Sequence, residues 1–118
     1  MKISFDFDST LGEVRLQKVA EKFINWGHEV FITTSRLDEM KGRPDWNWEV
    51  FSVAQRLGIP KENIRMTNGK DKWEFLAGFD IHFDDDLIEI ELIEENMPSC
   101  AAILISDESY TPPPMSTK

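Results

Sequence analysis

Apolar stretches of strand length alternate with segments of helical period along this chain, five strands in all, and no other feature narrows the fold as much. That alternation marks a parallel sheet covered by helices on both faces, because parallel neighbours need a crossover and the crossover segment packs back onto the sheet. The first strand is expected over 2–7. A helix over 13–26 follows, with Leu16, Val19, Ala20, Phe23 and Ile24 at helical spacing and Gly27 as its stop. The second strand spans 28–34, with Val30, Phe31 and Ile32 as its buried run. A helix over 47–57 turns Phe51, Ala54 and Leu57 inward and ends at Gly58 and Pro60. Next come a short strand over 63–67, the turn Asn68-Gly69, a brief helix over 71–77, a strand over 80–83 and a last strand over 101–106. Residues 87–96 alternate Ile88, Ile90 and Leu92 with glutamates as a strand does. Ten residues without a breaker between two strands nevertheless suit a helix, and a helix is expected there.

A chain of 118 residues holds one such domain, placed at 1–110, with a proline-rich tail over 111–118 expected to be extended and flexible. The net charge of −9 and the lack of any basic patch argue against a nucleic-acid partner. The single cysteine, Cys100, excludes a disulfide framework within the chain and a multi-cysteine zinc site, and reads as a small buried hydrophobe. No apolar run is long enough for a membrane span, so no membrane partner is expected. The first strand begins at Lys2, so no signal peptide is expected and the cytoplasm is the expected location.

Polar residues gather at the carboxyl ends of the strands, where open parallel sheets place their sites. Asp6, Asp8 and Thr10 follow strand one; Thr33-Thr34-Ser35-Arg36 close strand two; Lys70 and Lys72 follow strand three; Asp84-Asp85-Asp86 follow strand four. Each cluster alone has an ordinary reading. Asp6 and Asp8 can be solvated acids in a turn, the Thr-Thr-Ser run a helix cap, and either lysine a surface charge. Two acids at i and i+2 of a strand end repel each other unless a cation or a shared proton relieves them. Between Arg36 and Asn47 runs the longest irregular stretch of the body, with Gly42-Arg43-Pro44 and, at its end, Trp46 and Trp48. It is either the rim of a site or a cap on the next helix.

The four clusters in this order resemble the motifs of the haloacid dehalogenase superfamily of phosphatases, over roughly residues 2–106. Asp6-Phe7-Asp8-Ser9-Thr10 matches its Asp-x-Asp-x-Thr motif, except that Ser9 stands where many members have glycine. Thr34 matches the hydroxyl residue that closes strand two. Lys72-Trp73-Glu74-Phe75-Leu76, leading to Asp80-Ile81-His82-Phe83-Asp84-Asp85, is similar to its third and fourth motifs, with some likeness to the 5′(3′)-deoxyribonucleotidase branch. The resemblance implies a three-layer, Rossmann-like α/β domain with strand order 5-4-1-2-3. Neither gap between motifs holds a large insertion, so no cap domain is expected.

It further implies a Mg²⁺-dependent phosphomonoester hydrolase. Phosphoryl transfer needs an in-line nucleophile, a metal and positive charge on the transferred oxygens. Asp6 would be the nucleophile and carry an aspartyl-phosphate; Asp8 would protonate the leaving group and activate water. Thr34, Ser35 and Lys72, with Lys70 as second choice, would hold the phosphate. The metal would take Asp6, the backbone carbonyl of Asp8, and Asp85 directly, with Asp84 in support. The four carboxylates of Asp6, Asp8, Asp84 and Asp85 are thus expected to converge, while Asp86 caps the helix that follows. An open site suits a phosphorylated small molecule, a nucleotide or a phosphorylated macromolecule. His82 is read as structural, directed away from the acidic pair if the strand alternates; Arg36 touches substrate or pairs with an acid; His28 has no assigned role. Two other readings compete. A response-regulator receiver would want its acceptor aspartate after strand three, where Met66-Thr67-Asn68 stand, and a lysine after strand five, where Asp107-Glu108 stand. A noncatalytic module of the same fold would bind metal or phosphate without turnover.

Overall fold

In a computed structural model, residues 1–106 are described; the expected tail at 111–118 and the last residues assigned to the domain lie outside them. Five strands, β1 (Lys2–Phe5), β2 (Glu29–Thr34), β3 (Ile64–Met66), β4 (Ile81–Asp84) and β5 (Ala101–Leu104), form one sheet in the order β3-β2-β1-β4-β5. Every pairing is parallel. This is the expected order read from the opposite edge.

The period of two along β1 divides the interior into unlike halves. Ile3 and Phe5 face α1 (Val14–Asn25) and α2 (Trp48–Leu57), and pack with Leu16, Ala20, Val30, Ile32, Val50, Ala54 and Leu57. Phe5, Phe23 and Phe83 form an aromatic group within that layer, Phe5 stacking on Phe83 at 4.8 Å. On the other face, Phe31 joins Leu76, Phe79, Cys100 and Ile93 of α3 (Leu87–Asn96). Helices therefore cover both faces, and Cys100 is buried as expected. The second face also carries polar side chains with no exposure at all: Ser4, Thr33, His82 and Asp84.

Several expected details differ. The helix expected over 71–77 is a single 3₁₀ turn, Lys72–Phe75. Gly78, at φ +82°, closes the segment too soon for a nucleated α-helix to repay its cost. Strand five ends at Leu104 rather than 106, since β4, its one neighbour, ends at Asp84 opposite Leu104. Phe51 is not an inward residue of α2. Val50, Ala54 and Leu57 fill that stripe, and Phe51 lies 39% exposed beneath the Lys61 ammonium. Residues 87–96 are helical as expected, and the Asp86 side chain caps them by accepting the Ile88 N–H at 2.9 Å. No described helix is long and apolar enough to cross a membrane.

Candidate active site

The site is built first by how β1 ends. The Asp6 N–H still donates to the Phe83 carbonyl of β4 at 2.9 Å, so Asp6 sits at the carboxyl end of the sheet's central strand with its backbone fixed. The chain then makes a wide turn over Phe7–Leu11, tied by Leu11 N–H to the Asp6 carbonyl and Gly12 N–H to the Phe7 carbonyl. Within the turn Asp8 is extended and Ser9 is left-handed at φ +61°, the conformation that glycine adopts without steric cost. This turn separates the two acids. Asp6 is buried and points inward; Asp8 is exposed.

Lys72, the first residue of the 3₁₀ turn, is 3% exposed, an unusual place for an ammonium unless carboxylates meet it. Its Nζ donates to Asp6 Oδ1 at 2.9 Å and to Asp84 Oδ2 at 2.7 Å. The Lys72 backbone N–H is in turn held by Glu89 of α3 at 3.3 Å. Asp85 completes a trio with Asp6 and Asp84, whose ligand atoms lie within 4.8 Å of one another. Burial dominates the electrostatics. It pushes the Asp6 carboxyl up to about 7, opposed by Lys72 and reinforced by Asp84. Burial also acts on Asp84, but the His82 hydrogen bond and the Lys72 charge outweigh it and hold that carboxyl below its ordinary value. For Lys72 the two carboxylates outweigh burial and keep the ammonium charged.

Four expectations need correction or refinement. The carboxylates do not all converge: Asp8 turns to Arg36, whose Nη2 and Nε donate to its two oxygens at 2.8 and 3.1 Å. Arg36 therefore pairs with acids, Glu49 at 2.7 Å being the other, and these partners raise its pKa. Of the two hydroxyl residues at the end of β2, Ser35, just past it, lines the acidic cavity, whereas Thr34, its last residue, is buried, its Oγ1 accepting the Arg36 N–H at 3.4 Å. Lys70 is exposed and Lys72 makes the contacts. The strand alternation does hold at β4, and it sets His82 beside Asp84, not away from it: Nε2 lies 2.8 Å from Asp84 Oδ2. The i, i+2 spacing of His82 and Asp84 was the signal for that contact, the same spacing already used for Asp6 and Asp8.

Asp6, Asp8, Ser35, Lys72, Asp84 and Asp85 border a cavity of about 420 Å³. A larger one, about 540 Å³, is lined by the loop that carries Trp46 and by Trp48 and Phe51 of α2, and shares no lining residue with the first. Arg36 joins the two regions, its guanidinium stacking over the rings of Phe7 and Trp46 while it holds Asp8. The fold and this cluster together define a Rossmann-like α/β domain with an acidic, lysine-bridged cavity at the carboxyl ends of β1 and β4. No protein-family model matches the chain, and a search of curated proteins returns no match.

Proposed function

We propose that this chain is a Mg²⁺-dependent phosphomonoester hydrolase of the haloacid dehalogenase type, working through an aspartyl-phosphate on Asp6. The observation that carries the reading is the buried bridge of Lys72 between Asp6 and Asp84, with Asp85 completing the trio. A lone lysine among three carboxylates leaves negative charge in excess, and hard oxygen donors so grouped suit a hard divalent cation. The donor set thus fits Mg²⁺, held by Asp6, Asp84 and Asp85; when bound, it would neutralise charge on the phosphoryl oxygens.

In the first step an Asp6 carboxylate oxygen attacks phosphorus, the ester P–O bond breaks, and the leaving oxygen takes a proton from Asp8. In the second, Asp8 takes a proton from water, the resulting hydroxide attacks phosphorus, and the bond to Asp6 breaks to release phosphate. Lys72 and Ser35 bind phosphoryl oxygens. A carboxylate with both oxygens on a guanidinium accepts rather than donates, so leaving-group protonation requires one of the Arg36–Asp8 bonds to open. The open cavity suits a phosphorylated small molecule, a nucleotide or a phosphorylated macromolecule.

The test separates the two acids. Asp8→Asn keeps the nucleophile, so with acetyl phosphate and Mg²⁺ it should gain one phosphate on Asp6 and lose it slowly, turnover falling by about two to four orders of magnitude. Asp6→Asn should gain none. Intact-mass spectrometry after rapid acid quench reads both. Label on Asp8 would reverse the assignment. An active chain labelled on neither acid would remove the covalent mechanism, and a chain that neither labels nor hydrolyses phosphomonoesters would be a binding module.

A further inference from the structure

Behind the acidic cluster a line of buried polar groups crosses the sheet, on the face opposite α1 and α2. Arg65 Nη2 donates to Thr33 Oγ1 at 2.8 Å, and Thr33 Oγ1 and Ser4 Oγ lie 2.8 Å apart. Ser4 Oγ lies 2.9 Å from His82 Nδ1, and His82 Nε2 lies 2.8 Å from Asp84 Oδ2. Asp84 then meets Lys72, and Lys72 meets Asp6. Four strands contribute one or two members each: Ser4 lies opposite His82 and Thr33 opposite Arg65, while Thr33 stands two residues beyond Phe31, the register partner of Ser4. Ser4, Thr33, His82 and Asp84 are wholly buried, so water cannot repair a mismatched proton.

Counting protons along this line selects one arrangement. Asp84 is an acceptor, which calls for a proton on Nε2. Either hydroxyl of the Ser4–Thr33 pair can donate to the other; because Thr33 Oγ1 already takes an Arg65 N–H, its own proton is satisfied on Ser4 Oγ, and the Ser4 proton then falls to His82 Nδ1. Every proton finds an acceptor when His82 is neutral and protonated at Nε2. A proton on Nδ1 would turn the Ser4 hydroxyl toward Thr33 and leave the Thr33 proton without an acceptor among the described residues.

We infer that His82 is a positioning residue for this site: through Nε2–H, with its tautomer set by Ser4 and Thr33, it fixes the Asp84 carboxylate so that Oδ2 is shared with Lys72 and Oδ1 is left for a cation. Oδ1 takes only the Asp86 N–H, at 3.1 Å, among the described residues. The role in cation binding rests on the reading under Proposed function; the tautomer does not. Partners that orient metal-binding side chains typically matter about 10- to 100-fold in metal affinity.

Two measurements on the full chain test this. Long-range ¹H–¹⁵N correlation of the metal-free protein should show His82 as the Nε2–H tautomer; an Nδ1–H tautomer or an imidazolium at neutral pH would overturn the inference. Titration calorimetry with Mg²⁺ alone should show affinity falling about 10- to 100-fold in His82→Leu and recovering to within about threefold in His82→Gln, whose amide N–H replaces Nε2–H. Ser4→Ala, remote from the cavity, should lower affinity less, because Asp84 still calls for the Nε2 proton. If His82→Leu does not fold, Ser4→Ala and His82→Gln carry the comparison. Wild-type affinity in His82→Leu would overturn the role in cation binding. A wild-type chain that takes up no Mg²⁺ would overturn the metal reading above, and the nitrogen shifts would still decide the tautomer.

Discussion

Lys72 is the residue on which the cluster's charge balance turns. Remove its ammonium, and Asp6 and Asp84 are left buried without a counter-charge, within metal-ligand distance of Asp85. Breaking one side of a buried ion pair costs about 3–5 kcal/mol, because the desolvation is already complete and nothing offsets it. Lys72→Met, which keeps most of the side-chain volume, should lower unfolding free energy by about that amount in metal-free buffer, read by urea denaturation. Lys72→Arg should recover little, since a planar fork does not fit a gap shaped for a compact ammonium. Loss of less than about 1 kcal/mol in Lys72→Met would mean that the two carboxylates share a proton once the lysine is gone. At this scale the sequence was legible wherever one residue type has one job. Asp6, Lys72 and Asp85 could be placed from strand ends and spacing. The Asp8 carboxylate is drawn away by a distant segment, Arg36 reaching it across 28 positions; for His82 the contact with Asp84 is legible in the i, i+2 spacing, and only its far partner, Ser4, 78 positions away, is not.

Elements explain why those partners arrive. β1 lies centrally and parallel to both β2 and β4, so one edge of the sheet brings Asp6, Ser35 and Asp84 together without a long loop. That much follows from the alternating pattern alone, as does the α3 cap by Asp86. The 71–77 segment was harder, because Trp73 and Leu76 have helical spacing and what decides against a helix is length between breakers, not period. The loop from Arg36 to Asn47 has no period to read. It is held instead by side chains: Asn47 Nδ2 donates to the Leu37 and Asp38 carbonyls at 2.9 and 3.4 Å, and Arg36 and Arg43 stack on Trp46. Arg36→Met should therefore loosen the loop and release Asp8 at once. Trp46 emission should shift to the red, and the shift should vanish in a Trp46→Phe background, which removes the contributions of Trp26, Trp48 and Trp73 from doubt. Because both of the Arg36 ion pairs are partly exposed, stability should fall by no more than about 1–2 kcal/mol. Unchanged emission would mean that the Asn47 contacts alone hold the loop.

For the whole molecule, the cluster sets how stability answers to protons and cations. Burial raises the Asp6 carboxyl to about 7, whereas its ordinary value is 3.8. Between about 4 and 7 the folded chain therefore holds this proton more tightly than the unfolded one, and Asp6 makes stability fall as pH rises through that window. Well above 7 the buried carboxylate is ionised and the cost is complete. His82 has the opposite slope, since burial lowers its pKa and the unfolded imidazole protonates first. Comparison with Asp6→Asn removes that contribution and isolates Asp6. In metal-free buffer, the melting temperature of the wild type relative to Asp6→Asn should decline from pH 5.5 to pH 8. A bound cation needs the ionised form and competes with the proton, so Mg²⁺ should raise the wild-type Tm little at pH 5.5 and most at pH 8. At a hundredfold excess over Kd the gain is about 2.7 kcal/mol, or roughly 10 °C for a chain of this size. Asp6→Asn should lose most of the Mg²⁺ effect at both pH values, and scanning calorimetry with and without Mg²⁺ measures all four conditions. A rise in the wild type that is the same at both pH values would place the cation away from Asp6, and no rise at either would remove the acidic trio as a cation site.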